Sequence, residues 1–169
     1  MIQPPRILVA GGSRLPQECF AFATELGRSL MVDTGYVLVT GGLKRREPDT
    51  VATDFVVATA ASAAVEQTSE SPKSRIVTVL PETDVPTFER FRFGTVLEVG
   101  HSNVNARRFS MALTSNALVT IHGDKGTGEI IDLAFAAGKT LPYGTTQSLR
   151  VQLEETVPEA TPSNSTGNL

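Results

Sequence analysis

The stretch Arg107-Arg-Phe-Ser-Met-Ala-Leu-Thr-Ser-Asn-Ala-Leu-Val-Thr-Ile-His-Gly-Asp-Lys-Gly-Thr-Gly-Glu129 decides how this chain is read. An arginine pair, Arg107 and Arg108, sits on a helical pattern that leads into an apolar strand, Ala117 to Ile121. The strand runs into a glycine loop, His122 to Thr127, and the loop opens a second helix bearing Glu129. The first amides of a helix carry partial positive charge and have no partner within the helix, and glycine lets backbone approach an anion closely. A strand, a glycine loop and a helix N-terminus in that order therefore predict an anion site in an α/β protein.

The same grammar recurs upstream. Arg6 to Ala10 is an apolar run ending in Gly11-Gly12-Ser13, and Tyr36 to Thr40 is another ending in Gly41-Gly42. Between them, Phe20, Ala23, Leu26, Gly27 and Leu30 follow helical spacing after Pro16. Leu43 to Glu47 reads as a basic loop, about Thr50 to Glu66 as an Ala/Val-rich helix, and Ser69 to Ser74 as a polar loop. Ile76 to Leu80 is a third strand, 82–93 an irregular segment, and Gly94 to Glu98 a fourth strand. Ser102 or Asn103 caps the arginine helix. The helix after the glycine loop runs from Glu129 to Ala137 and stops at Gly138, and Thr140 to Tyr143 is a last edge strand. Strands alternating with helices predict a parallel sheet covered on both faces, a Rossmann-like α/β fold in which the three glycine loops share the carboxyl edge.

Composition sets the outer limits. The 169 residues, 40% apolar and 20% charged, suit one domain. We assign it to residues 1–157; 158–169, rich in Pro, Ser, Thr and Asn, reads as a disordered tail or truncated linker. A net charge of −3 argues against nucleic acid as the main partner. No apolar run approaches the ~20 residues that span a bilayer. The one cysteine, Cys19, reads as a buried small hydrophobe, and its solitude excludes intramolecular disulfides and suits a cytoplasmic location. Two histidines without a Cys/His cluster imply no metal site.

At Asn105 to Ile130 the sequence resembles the SLOG superfamily, which includes DNA-processing proteins and the LONELY GUY (LOG) cytokinin-activating phosphoribohydrolases. Those hydrolases carry an Arg-Lys pair, Ser-Asp-Ala before the strand, and then Pro-Gly-Gly-x-Gly-Thr-x-x-Glu. Laid without gaps, Arg107 and Arg108 fall on the basic pair, Ser115-Asn116-Ala117 on Ser-Asp-Ala, and Gly123, Gly126 and Thr127 on the loop positions. The opening strand with Gly11, Gly12 and Ser13 is also similar to the family's first strand and turn. His122 and Asp124 stand where the hydrolases have proline and a second glycine; Ile130 stands where they have the catalytic glutamate. Glu129 is one residue early, which turns a helical side chain by about 100°.

The resemblance implies a nucleotide cleft that keeps its binding parts and lacks the residue that cleaves. It implies a sensor for an ADP-ribose-like or cyclic nucleotide signal, as in SLOG domains of anti-phage effectors, with no resident cofactor. It further implies a homodimer or higher oligomer and an attached effector domain. The expected ligand residues are Gly11, Gly12, Ser13, Gly41, Gly42, Arg107, Arg108, His122, Gly123, Lys125, Gly126, Thr127 and Glu129. The alternative is a LOG-like nucleoside monophosphate phosphoribohydrolase in which Glu129 is the catalytic residue. Lys44, Arg45 and Arg46 are candidates for a second phosphate, and Arg90 and Arg92 for a cleft wall or a subunit interface.

Overall fold

The computed structural model describes residues 3–32, 34–100 and 104–138. Five parallel strands form its sheet: β1 (Arg6–Gly11), β2 (Val37–Gly41), β4 (Ile76–Pro81), β6 (Thr95–Val99) and β7 (Ala117–Ile121). Their spatial order is β6-β4-β2-β1-β7. Helices α1 (Gln17–Val32), α2 (Thr53–Glu66) and α4 (Val104–Thr114) lie between strands, and α5 (Lys125–Ala136) follows β7. This is the α/β Rossmann-like architecture expected from the alternation of strands and helices.

The period of two along the strands sends alternate side chains to opposite faces. In β1, Ile7 and Val9 join Leu38 and Ile76 beneath Ala23, Val57 and Ala61 of α1 and α2. Leu8 and Ala10 join Val39 and Val79 beneath Met111, Ala112, Ile130 and Ala134 of α4 and α5. Both faces of the sheet are thus covered, and β2 is buried along its whole length. Cys19 is half-buried and packs against the first of these cores.

The chain winds from β1 out to β6 on one side, then crosses by α4 to β7 on the far side of β1. The loops after β1 and β7 consequently leave the sheet side by side with no helix crossing between them. A crevice at this reversal of strand order is where open α/β sheets bind ligands.

Several local readings differ from the sequence expectation. Leu43 to Arg45 is not a loop but β3, paired antiparallel with β5 (Phe88–Arg90), which lies in the segment read as irregular. Leu43 and Phe91 are both buried at the same end of the ribbon, so tertiary packing makes a ribbon of two segments whose polar composition masks it. Pro72–Arg75 forms a single helical turn, α3, capped by Ser71, whose hydroxyl accepts from the Lys73 amide at 3.3 Å. Helix α5 begins at Lys125 rather than Glu129, because Asp124 caps it. Gly138 follows α5 with φ of 63°, as its role as a helix stop requires. The expected cap at 102–103, His101, the edge strand at 140–143 and the tail lie outside the described residues.

Candidate functional site

A cleft of about 160 Å³ opens at the carboxyl edge between β1 and β7. Gly11, Gly12 and Ser13 line it from the β1 loop, and Asp124, Gly126, Thr127 and Ile130 from the start of α5. Arg107 and Arg108 enter from α4, Ala52 and Asp54 from the start of α2, and Leu43, Arg45 and Phe88 from the β3–β5 ribbon. Of the residues singled out from sequence, the fold brings Gly11, Gly12, Ser13, Arg45, Arg107, Arg108, Gly126 and Thr127 to this cleft. Gly41, Gly42, His122, Gly123, Lys125 and Glu129 are not among its lining residues.

The two arginines behave differently. Arg107 is only 9% exposed, and its Nε and Nη1 have no hydrogen-bond partner among the described residues. Burial pulls its pKa down, Asp54 raises it, and Arg108 lowers it further. Arg108 is tied: it donates to the Glu129 carboxylate and, at 3.0 Å, to Asn105 Oδ1. Its guanidinium crosses above Gly126, where an added Cβ would stand 2.6 Å from Nη2. Glu129 is therefore held as the counter-ion of Arg108 outside the cleft lining.

The loop amides are largely occupied. The Asp124 carboxylate accepts from the Gly126 amide at 3.0 Å, and the Asp124 carbonyl accepts from Thr127 and Gly128 at 3.0 and 3.1 Å. An acidic N-cap satisfies the amides that the sequence offered to an anion. Anion attraction in this cleft thus falls to the guanidinium groups, with the α5 dipole as background. His122 takes a left-handed backbone with φ of 52°, and Gly123 follows with φ of 150°. The His122 ring turns toward Gly12, where an added Cβ would meet Nδ1 at 3.3 Å.

Asp54 is a cleft residue that sequence reading missed, as are Ala52, Leu43, Phe88 and Asp124. It is half-buried by area, since its free side faces the cleft, and protein crowds it elsewhere. Burial pushes its pKa up to about 7, against the opposing pull of Arg107 and of the Gly41, Gly11 and Asp54 amides. Gly41 is the spacer: any side chain there would collide with both Arg107 Nη1 and Asp54 Oδ2. Thr53, the neighbouring residue, pins the two loops together. Its amide and hydroxyl donate to the Gly12 carbonyl at 3.1 and 3.2 Å, and its hydroxyl also reaches the Ile121 carbonyl at 3.4 Å. The only sequence signal for Asp54 was an acidic residue at the start of a helix, which a solvated first turn explains equally well.

The basic loop divides its work. Arg45 Nε donates to Ser13 Oγ at 2.9 Å, and Arg45 also pairs with Glu47. Lys44 pairs with Glu89 and lies 4.6 Å from the Phe55 ring centroid. Arg46 donates to the Phe88 carbonyl at 3.0 Å. Arg90 and Arg92 both engage Glu98, while Phe91 and Phe93 turn inward onto Phe55. Asn116, aligned with the hydrolases' aspartate, accepts from the Arg6 amide at 2.9 Å and ties the start of β7 to β1. Among the described residues no three His, Cys, Asp or Glu side chains are grouped to hold a metal, and no helix is long and apolar enough to cross a membrane.

Comparison with solved structures places this architecture. The molybdenum cofactor binding protein of Rippkaea orientalis is similar at 20% identity and a TM-score of 0.60, over 92% of this chain and 87% of that one. The molybdenum cofactor carrier protein of Chlamydomonas reinhardtii matches at 22% identity and 0.56, over 90% and 86%. DNA processing protein A of Helicobacter pylori matches at 14% identity and 0.57, over 90% and 73%. The chain thus shares the Rossmann-like α/β fold of these proteins. No protein-family model matches it, and no curated protein matches it by sequence.

Proposed function

We propose that this protein binds a phosphorylated small molecule in the β1/β7 cleft, and that the ligand is a nucleotide of the ADP-ribose or cyclic nucleotide class. The observation that carries this reading is Arg107: a nearly buried guanidinium with two nitrogens that have no partner among the described residues, facing a cleft. Burying an unpaired cation costs several kcal/mol, and an anionic ligand offsets that cost. Phosphate suits a guanidinium fork because two parallel N–H bonds match two of its oxygens. Arg108 and Arg45, each already paired with a glutamate, also line the cleft and add positive charge for a second phosphoryl group, and Phe88 adds an apolar surface. The sensor role, in which occupancy regulates an attached effector through an oligomer, follows the SLOG resemblance.

A second reading takes its support from the two molybdenum cofactor proteins aligned along most of the chain. In it, the cleft carries that cofactor and Arg107 still holds the anion. The hydrolase reading is the weakest: Glu129 is engaged by Arg108, and Ile130 occupies the position of the family's glutamate.

Thermal shift with ADP-ribose, its cyclic isomers and the molybdenum cofactor separates these readings. The true ligand at 100 times its Kd stabilises the fold by about 2.7 kcal/mol. Arg107→Met abolishes that shift. Because it removes a buried unpaired charge, it leaves the ligand-free protein as stable as wild type or more so. A stabilising shift that survives in Arg107→Met refutes the site assignment. Release of ribose 5-phosphate from AMP would restore the hydrolase reading.

A further inference from the structure

Asp54 brings a carboxyl group to the floor of a cleft whose other charged groups are mostly cations. Arg107 and Arg108 line it from α4, Arg45 from β3 and Asp124 from the start of α5, with His122 at the rim beyond Gly12. Asp54 and Arg107 share one corner above Gly41, where a side chain would strike both. Yet among the described residues no hydrogen bond joins them, and Arg107 Nε and Nη1 have no partner there. The corner therefore holds a cation whose donors are unspent and a carboxyl next to where an anion would sit.

An ionised Asp54 would repel any anion seated on Arg107, strongly so in a site of low dielectric. A neutral carboxyl reverses this, because its O–H is a donor that an anion oxygen accepts. We propose that Asp54 is a ligand-binding residue of this cleft in its protonated form, so that the site takes up one anion together with one proton. The proton comes from solvent onto a carboxylate oxygen of Asp54, no covalent bond of the ligand changes, and the resulting hydroxyl donates to the bound anion. The inference rests on reading the cleft as an anion site. It adds that the preferred ligand presents an oxygen that accepts from both a guanidinium and a carboxylic acid, as a phosphodiester or diphosphate does. The existing upward push on the Asp54 pKa, to about 7, makes the proton easy to gain near neutrality.

The test is calorimetric titration with ADP-ribose and with inorganic sulfate, neither of which titrates near neutrality. Each is run at about pH 6 and about pH 8 in buffers of different ionisation enthalpy, so that linked protons are counted. Wild type takes up close to one proton per anion at the higher pH and almost none at the lower, and its affinity falls by up to about tenfold per pH unit above neutrality. Asp54→Asn, checked for folding by its melting curve, takes up no proton and loses the pH dependence. His122→Asn, which suits the left-handed backbone at that position, keeps both. Anion binding without proton uptake in wild type overturns the proposal, as does uptake that persists in Asp54→Asn. Binding of sulfate but not ADP-ribose overturns the ligand class proposed above while still deciding the proton count. Binding of neither anion removes the anion site and this inference with it.

Discussion

Arg107 and Asp54 are both charged side chains withdrawn from bulk water, and they differ in what sequence could say of them. The arginine stands in a motif; the aspartate stands in none, and only the approach of α2 to the ends of β1 and β2 gives it a role. Its raised pKa has a consequence for the ligand-free protein. In the unfolded chain Asp54 ionises near its usual value of 3.8, whereas in the fold it holds its proton up to about pH 7. Stability from the protonated form is complete below the lower value and is lost as pH rises through the upper one. Wild type should therefore lose stability relative to Asp54→Asn between about pH 4 and about pH 7, with no further relative change above that. Urea unfolding of both proteins across that range measures the difference; parallel curves would refute the assigned ionisation.

At the level of elements, the ends of helices carry much of the local specificity. Helix α1 has no basic residue in its last turn, so its terminal carbonyls need an outside donor. Arg75 of α3 (Pro72–Arg75) supplies it. Arg75 Nη2 donates to the Thr34 carbonyl at 2.6 Å, to Met31 at 3.1 Å and to Leu30 at 3.3 Å, and Nε donates to Tyr36 at 2.9 Å. Glu70 balances the charge. Arg75→Met keeps much of the volume but strands these carbonyls, so a loss of about 3 kcal/mol is expected in denaturant melts, with anion binding at the distant cleft intact. Nothing in Pro72-Lys-Ser-Arg75 as a string distinguishes this arginine from a solvated one. The β3–β5 ribbon was hidden for the same reason: its segments, 43–45 and 88–90, are too short and polar to show a period. Helix α5 was placed late because the glycines at 126 and 128 looked like loop, while the Asp124 cap outweighs their low helix propensity.

Across the whole molecule, the sheet is the rigid frame that holds the cleft open. Leu8 lies within it, fully buried under α4 and α5 and paired in register with both Val39 and Leu118. Leu8→Ala leaves a cavity beneath the cleft and should cost about 2–5 kcal/mol. A cost below about 1 kcal/mol in an unfolding titration would show that the two layers collapse around the gap.

The apolar runs at 6–10, 36–40, 76–80 and 117–121, the first three closed by glycine or proline and the last by His122-Gly123, were enough to establish a parallel α/β sheet and to put glycine loops on one edge. Hydrophobic period is a local property, and a buried strand advertises itself through its own residues. The Arg107–Thr127 stretch was readable for a similar reason, since its parts follow one another along the chain. Strand order, which sets the β1 and β7 loops together, was not readable, and neither was the meeting of Asp54, Gly41 and Arg107 from three separate elements. Nor could the string tell that Asp124 would occupy the helix amides, that Glu129 would close on Arg108, or that Arg107 would be left with donors to spare. Those outcomes depend on distances between segments far apart in sequence, where burial and the pairing of charges, rather than local pattern, determine which group is free to bind.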